Sequence, residues 1–512
     1  MDTVVVGAGP VGLTAAMLLA REGHRVTVLD RDPGAPEGGP QEAWDAWERP
    51  GANQFRHPHI LLPAAYRTLA DELPETVTEL TALGGVPCNL LAGAWELDAI
   101  GGRRPGDERF AMMIARRPVI EAALTAVAAR TPRLTVRRDT AVSALLTGRE
   151  RVPGRPHVTG VLTRGGDTLH ADLVVDAGGR NSPVGRMLRD LGAPGPVEER
   201  AGTGFLAYTR YFRSADGRLP KWPVWRVTHY DTVTTVAIEG DAGTWAVSLG
   251  VSGSDRALRA LREPGAWHRA AALFPDIAHL TEAGEPMSGI MAMSGMEARH
   301  RQFVADGRPV ATGLLSIGDA WATTNPLFGL GMSMGALHVT LLRDLLRAEG
   351  TGDPEKLALR FDEATRASLS PMQQGLAEWD RHRLAEIDAA LRDVPAPYET
   401  GDRDWHFKRA LDTAKLRDPE LLRAFADSGT LLATAEEVFT DPALAEKAAE
   451  LGRKAPHSSD PGPSRPELLA ALAGPAERAA PVPDRAGCHL RGVRHPGGQG
   501  DSARPCAPRR PA

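Results

Sequence analysis

Gly7-Ala8-Gly9-Pro10-Val11-Gly12 has the spacing GxGxxG, and each glycine in it has a chemical use. Gly7 permits a tight turn, Gly9 lets a phosphate approach the backbone, and Gly12 lets a helix pack closely on a strand. The flanking sequence supplies the elements such a loop needs. Residues 3–6 and 25–29 read as short, valine-rich buried strands, and residues 10–22 as a helix ended by Gly23. A helix that opens at this loop offers free N–H groups and partial positive charge to a pyrophosphate. Asp30 follows the second strand, 18 residues after Gly12, where a carboxylate can accept from ribose hydroxyls. The unit predicts a bound dinucleotide.

A second constellation lies late in the chain. Leu315-Ser316-Ile317-Gly318-Asp319-Ala320 ends a buried strand in an aspartate, and Asn325-Pro326-Leu327-Phe328-Gly329-Leu330-Gly331-Met332 opens the next helix. With the early loop, this resembles the second FAD fingerprint of the para-hydroxybenzoate-hydroxylase-like flavoprotein monooxygenases. The resemblance implies that Asp319 binds the ribityl or ribose region and that the Gly329–Gly331 turn lies beneath the isoalloxazine. Gly318, Pro326 and Met332 belong to the same implied contact. A helix N-terminus aimed at the pyrimidine edge would stabilise negative charge on the flavin.

The likeness runs over residues 3–350 and more loosely to 472. Gln54-Phe55-Arg56-His57-Pro58-His59 is similar to a segment of the bacterial polyether-epoxidase-type branch, and Ala115-Arg116-Arg117-Pro118 to another family segment. They imply Arg56 and Arg117 as cofactor contacts, although a surface cation at a helix start accounts for either equally well. Arg31 and Val142 complete the candidate contacts. His57 and His59 lack a third ligand or an acidic partner nearby and read as ordinary hydrogen-bonded histidines. The chain departs from the pattern at Asp176-Ala177-Gly178-Gly179-Arg180, where Gly178 stands in place of the aspartate of the family's Asp-Gly dipeptide. The docking of NAD(P)H is therefore open. A second strand–GxGxxG unit is missing, unlike in enzymes with a separate nicotinamide domain. Flavin halogenases carry a Trp-x-Trp-x-Ile-Pro block, whereas Gly243–Leu249 has one tryptophan and no Ile-Pro.

The resemblance implies an FAD-dependent monooxygenase that hydroxylates or epoxidises a small apolar molecule through a flavin C4a-hydroperoxide. O2 would be the co-substrate. Electrons would come from NAD(P)H or from a reduced flavin delivered by a separate reductase. A reductase of the geranylgeranyl-reductase-like type and an inactive FAD-holding accessory protein remain alternatives. No catalytic side chain is identified. The arginine-, alanine- and glycine-rich composition fits a high-GC bacterium, where such enzymes often tailor secondary metabolites.

The wider chain must hold these motifs in place. Its 512 residues suffice for a large core, with 42% hydrophobic and 24% charged residues. The expected fold is α/β. A Rossmann-like FAD-binding domain (1–200, completed by 301–350) carries an inserted antiparallel substrate sheet (201–300), a C-terminal helical region (351–473) and a disordered tail (474–512). Residues 33–53 read as a Pro/Gly-rich loop, 134–146 as one strand, and 205–250 as antiparallel sheet through its alternating pattern. A net charge of −5 without a basic stripe argues against nucleic acid. Three cysteines form no metal-ligand spacing, and no apolar run is long enough to span a membrane. The chain is expected to be cytoplasmic, with no metal.

Overall fold

The computed structural model describes residues 1–36, 38–202, 204–294, 296–392, 398–438, 440–453 and 462–474 (for Glu297, the backbone alone). The expectation of a disordered tail therefore lies, beyond Gly474, outside the described residues.

The valine run Asp2–Val6 forms the middle strand of a five-stranded parallel sheet. The sheet order is Leu314–Ser316, Leu173–Asp176, Asp2–Val6, Arg25–Leu29, Leu134–Arg137. Val5 faces Val175 on one side and Val28 on the other. Strands buried on both faces need apolar residues at nearly every position, which is why these segments are continuous rather than alternating. Helices Pro10–Arg21, Arg117–Arg130 and Gly331–Glu349 cover one face and share a core with Leu13, Met17, Val119, Leu124, Val339 and Leu342. The pairing of Leu314–Ser316 with Leu173–Asp176 brings the late motif beside the early one.

The alternating segment forms a separate antiparallel sheet. Phe205–Arg213 pairs with Thr244–Ser252, which pairs with Val233–Glu239, which pairs with Val227–His229. Met291–Met293 and Glu285–Pro286 add to the other edge of Phe205–Arg213. One face of this sheet packs on Trp267, Phe274 and Leu280. From residue 354 onward the described chain is helical, with Pro354–Ser368, Ser370–Ala390, Arg403–Ala414 and Pro419–Gly429 as the longer pieces near the site described below.

Two local expectations are corrected. Residues 33–53 are not all loop: Gly39–Ala46 is a helix, anchored by buried Ala43 and Trp44, with Trp44 against Tyr211. Its tryptophan contacts outweigh the local Pro/Gly signal. Residues 134–146 are two strands, Leu134–Arg137 in the parallel sheet and Val142–Val152 in an antiparallel one, broken at Asp139 with its φ of 52°. Asp176 proves to be internal. Its carboxylate accepts from Gly178 N–H (3.0 Å), Ser182 Oγ (2.8 Å) and Ser316 Oγ (3.2 Å), tying together the ends of two neighbouring strands. Burial pushes its carboxyl up from the usual range, and these bonds and Arg301 oppose that.

Helices Pro10–Arg21 and Gly331–Glu349 are held together by Val11. An added Cβ at Gly318 would stand 3.0 Å from Val11 Cγ1, and one at Gly335 would overlap Val11 Cγ2. Gly335→Ala is thus expected to lower stability by about 1–3 kcal/mol through overpacking, although alanine is the better helix former. Combining it with Val11→Ala should cost less than the two single losses added. Urea unfolding of the four proteins tests this, and strictly additive losses would mean that Val11 does not fill the notch.

Candidate active site

The three glycines of the early loop divide their roles. Gly7 has φ 106°, and a Cβ there would strike the Ala177 carbonyl. A Cβ at Gly12 would strike the Gly7 carbonyl, so Gly12 is what lets the helix approach the loop. Gly9 has nothing within 4 Å of the Cβ position, because that side faces open space. Helix Pro10–Arg21 begins there with no side-chain cap, leaving its first N–H groups free. Gly9, Pro10, Val11 and Gly12 line one end of a cavity of about 910 Å³.

The late motif lines the same cavity through Asp319, Pro326, Gly329, Gly331 and Met332. Helix Gly331–Glu349 also starts without a side-chain cap, so a second set of free N–H groups opens here. A Cβ at Gly331 would meet only Asp319 Oδ1, at 3.8 Å. The Asp319 side chain forms no hydrogen bond or ion pair with the described residues. Burial raises its pKa, opposed by the charges of Arg117, Arg180 and Arg301. Arg117 lines the cavity too, donating from Nε to Glu121 (2.7 Å) and standing 3.3 Å from His59 Nε2. Burial holds His57 down at about 4 and His59 at about 3, so both imidazoles are neutral at ordinary pH. No group of three or more metal-ligating side chains occurs among the described residues.

Six of the sequence-derived contacts do not line this cavity. Gly7 and Gly318 lie just behind it, as backbone turns that shape the wall. Asp30 does not point a free carboxylate at a ribose site. Its oxygens accept from Ala8 N–H (2.6 Å) and Asp32 N–H (2.8 Å) and pair with Arg49 Nη2 (3.1 Å). Arg31 is turned toward Asp32 at 3.8 Å and is largely exposed. Arg56 donates to the Trp47 carbonyl at 3.0 Å and lies over the Trp44 ring, engaged by the helix the sequence did not reveal. Val142 packs in another cluster, with Val6 and Leu29, on the opposite side of the sheet.

Arg49 is the residue that motif reading misses. It is 8% exposed and bridges Asp30, Asp32 and Glu121 over the Trp47 ring. Glu121 also holds Arg117, so one buried network runs from the glycine loop to the cavity wall. No spacing rule points from Asp30 to Arg49, since their meeting depends on the loop's tertiary path. The far wall is equally non-local. It combines Thr209, Val236 and Ser248 of the antiparallel sheet, and Trp225 just before strand Val227–His229, with Trp379, Phe407 and Phe425 of the C-terminal helices.

The arrangement fits a flavin dinucleotide: two uncapped helix N-termini, open space above Gly9 and Gly331, and a half-buried carboxylate without a side-chain partner among the described residues. Comparison with known proteins agrees. Residues 2–97 match the family described as FAD dependent oxidoreductase. Protein Rv3254 of Mycobacterium tuberculosis is 27% identical over 394 residues, covering 72% of this chain and 78% of its own. Among solved structures, PqsL of Pseudomonas aeruginosa, described as a probable FAD-dependent monooxygenase, aligns with TM-score 0.54 and 16% identity, over 76% of this chain and 97% of its own. The flavin-dependent brominase Bmp2 aligns with TM-score 0.58 and 14% identity, over 89% of this chain and all of its own. At these identities the structural likenesses concern the fold alone.

Two substitutions test the site without turnover. Asp319→Ala removes a charge-assisted acceptor worth roughly 1.5–3 kcal/mol, so FAD affinity should fall about tenfold or more while the apoprotein melts no lower than wild type. An added Cβ at Gly331 meets no protein obstacle, so Gly331→Ala should likewise leave the apoprotein melting temperature nearly unchanged but weaken FAD. Flavin fluorescence titration with parallel melting curves gives both readouts. Unchanged FAD binding in both variants would contradict the assignment.

Proposed function

We propose that the chain is an FAD-dependent monooxygenase that hydroxylates or epoxidises a small apolar organic molecule. The observation that carries this is the continuity of one cavity, from the two helix N-termini to a wall of aromatic and aliphatic side chains. A site that only passed electrons between soluble carriers would not need an extended apolar wall of this kind beside the flavin.

Bound FAD would supply two-electron reduction and the activation of O2. The chain's own residues bind, orient and exclude water. Free N–H groups at Val11 and Gly12 would hold the pyrophosphate, and Asp319 would accept from ribityl or ribose hydroxyls. N–H groups at the start of helix Gly331–Glu349 would face the pyrimidine edge and favour negative charge there. Arg117 adds a nearby positive charge, fixed by Glu121. Trp225, Met293, Phe328 and Trp379 would pack on the substrate and keep water out. His57 and His59 stay neutral and so add no charge to this pocket.

Among the described residues there is one parallel sheet and no second dinucleotide fold. NAD(P)H would have to enter this same cavity, or a separate reductase would have to deliver reduced flavin. Arg180 and Asn181, which line the cavity beside the altered Asp-Gly segment, are the candidates to meet the reductant.

Turnover under 18O2 with NAD(P)H or a reduced-flavin supply and a panel of aromatic and polyene substrates tests the proposal. One labelled oxygen atom in the product is expected. A reduced product free of label would replace the monooxygenase by a reductase, and flavin that never turns over would favour the accessory role.

A further inference from the structure

Asp380 belongs to helix Ser370–Ala390 and is 3% exposed, just behind the cavity wall formed by its neighbours Leu376 and Trp379. One carboxylate oxygen accepts from Asn325 Nδ2 at 2.8 Å. The other is buried and has no hydrogen-bond partner among the described residues. Asn325 is buried as well, and its Oδ1 accepts from Leu327 N–H at 3.1 Å, capping the short turn Pro326–Phe328. Pro326, Leu327, Phe328 and Gly329 all line the cavity, immediately before helix Gly331–Glu349.

The orientation of the Asn325 amide therefore decides whether this turn is capped. A carboxylate only accepts, so it forces Asn325 to offer its NH2 to Asp380 and keep its oxygen for Leu327. A carboxylic acid can also donate, so it can bond the Asn325 oxygen and compete with Leu327 N–H. We propose that Asp380 is a positioning residue for the cavity turn Asn325–Gly329: as a carboxylate it fixes the Asn325 amide and the turn, and proton uptake releases them. The proposal rests on the reading that this cavity holds FAD.

Burial pushes the Asp380 carboxyl up to about 7, and the Asn325 bond only partly opposes this. No ion pair to Asp380 occurs among the described residues. On its own helix, Arg383 pairs with Glu386, which also meets Arg409 of helix Arg403–Ala414. Lys408 of that helix faces Gly375, its Nζ 3.4 Å from where a Cβ would stand. His229 of strand Val227–His229 packs its ring on Trp379 and bonds Thr234. Helix Pro354–Ser368 brings Asp362, paired with Arg366, and strand Thr244–Ser252 brings no charged side chain. Because the folded pKa lies above the ordinary carboxylate value, folding stability from this group is fully present below about pH 4 and is lost as pH rises through about 7. The ionised form thus costs stability while it holds the turn.

Asp380→Asn keeps the shape but can donate or accept at every pH, so it imitates the protonated state. FAD titration of both proteins from about pH 5.5 to 8.5, with melting of the apoproteins, separates the possibilities. Wild-type affinity should rise about fivefold with a midpoint near 7, the size of a lost turn cap. The variant should stay near the low-pH value and should melt above wild type at pH 8. Loss of affinity equal at every pH, with a lower melting point at pH 8, would mark a plain packing role and overturn the proposal. A pH midpoint retained in the variant, or FAD uptake without any midpoint in wild type, would overturn it too. Failure of both proteins to take up FAD at any pH would overturn the cofactor reading and this proposal together.

Discussion

Val11 fills the notch left by Gly318 and Gly335, and the geometry of the site depends on that contact. It fixes the N-terminal end of helix Pro10–Arg21 against the start of helix Gly331–Glu349, although the two are more than 300 residues apart in sequence. Both helices open without side-chain caps, so their free N–H groups face one cavity rather than two surfaces. A Cβ at position 335 would overlap the Val11 side chain, so that Val11 or one of the two helices would have to shift. Close packing of this kind has little slack, because protein interiors are as dense as organic crystals.

Among the carboxylates nearest the two glycine motifs, most are already committed to the fold and Asp319 is not. Asp30, Asp32 and Glu121 surround Arg49, and Asp176 is bonded to a backbone N–H and two hydroxyls. These groups build the loop and the strand ends. Removing one partner from such a network would leave a buried charge unpaired, which is costly. Asp319 is the exception, half-buried and without a side-chain partner among the described residues, and Arg117, Arg180 and Arg301 supply only long-range opposition to its desolvation. A carboxylate kept in this state makes sense where bound hydroxyls complete its hydrogen bonds.

The parts of the site that were legible in the sequence are those in which local rules decide. Strand, glycine turn and helix follow one another within residues 2–21, and Arg25–Leu29 forms as its valine pattern predicts. The start of helix Gly331–Glu349 and the placement of Asp319 beside it were likewise visible in glycine spacing. What was hidden depends on contacts between distant segments. Arg49 meets Asp30 only because Gly39–Ala46 folds into a helix and its tryptophan docks on the antiparallel sheet. The same docking takes Arg56 away from the cavity. Asp380 carries no mark in a polar helical stretch, since its significance comes from facing Asn325 across the fold.

In the proposed binding mode one dinucleotide would lie along the cavity, with its phosphates at the first helix and its flavin ring at the second. The most direct measurement is calorimetric titration of flavin-free protein with FAD and, separately, with FMN. One FAD per chain is expected, with FMN binding weaker by at least an order of magnitude, because FMN lacks the second phosphate and the adenosine that would lie toward the glycine loop. Equal affinity for the two, or no uptake of FAD, would contradict it.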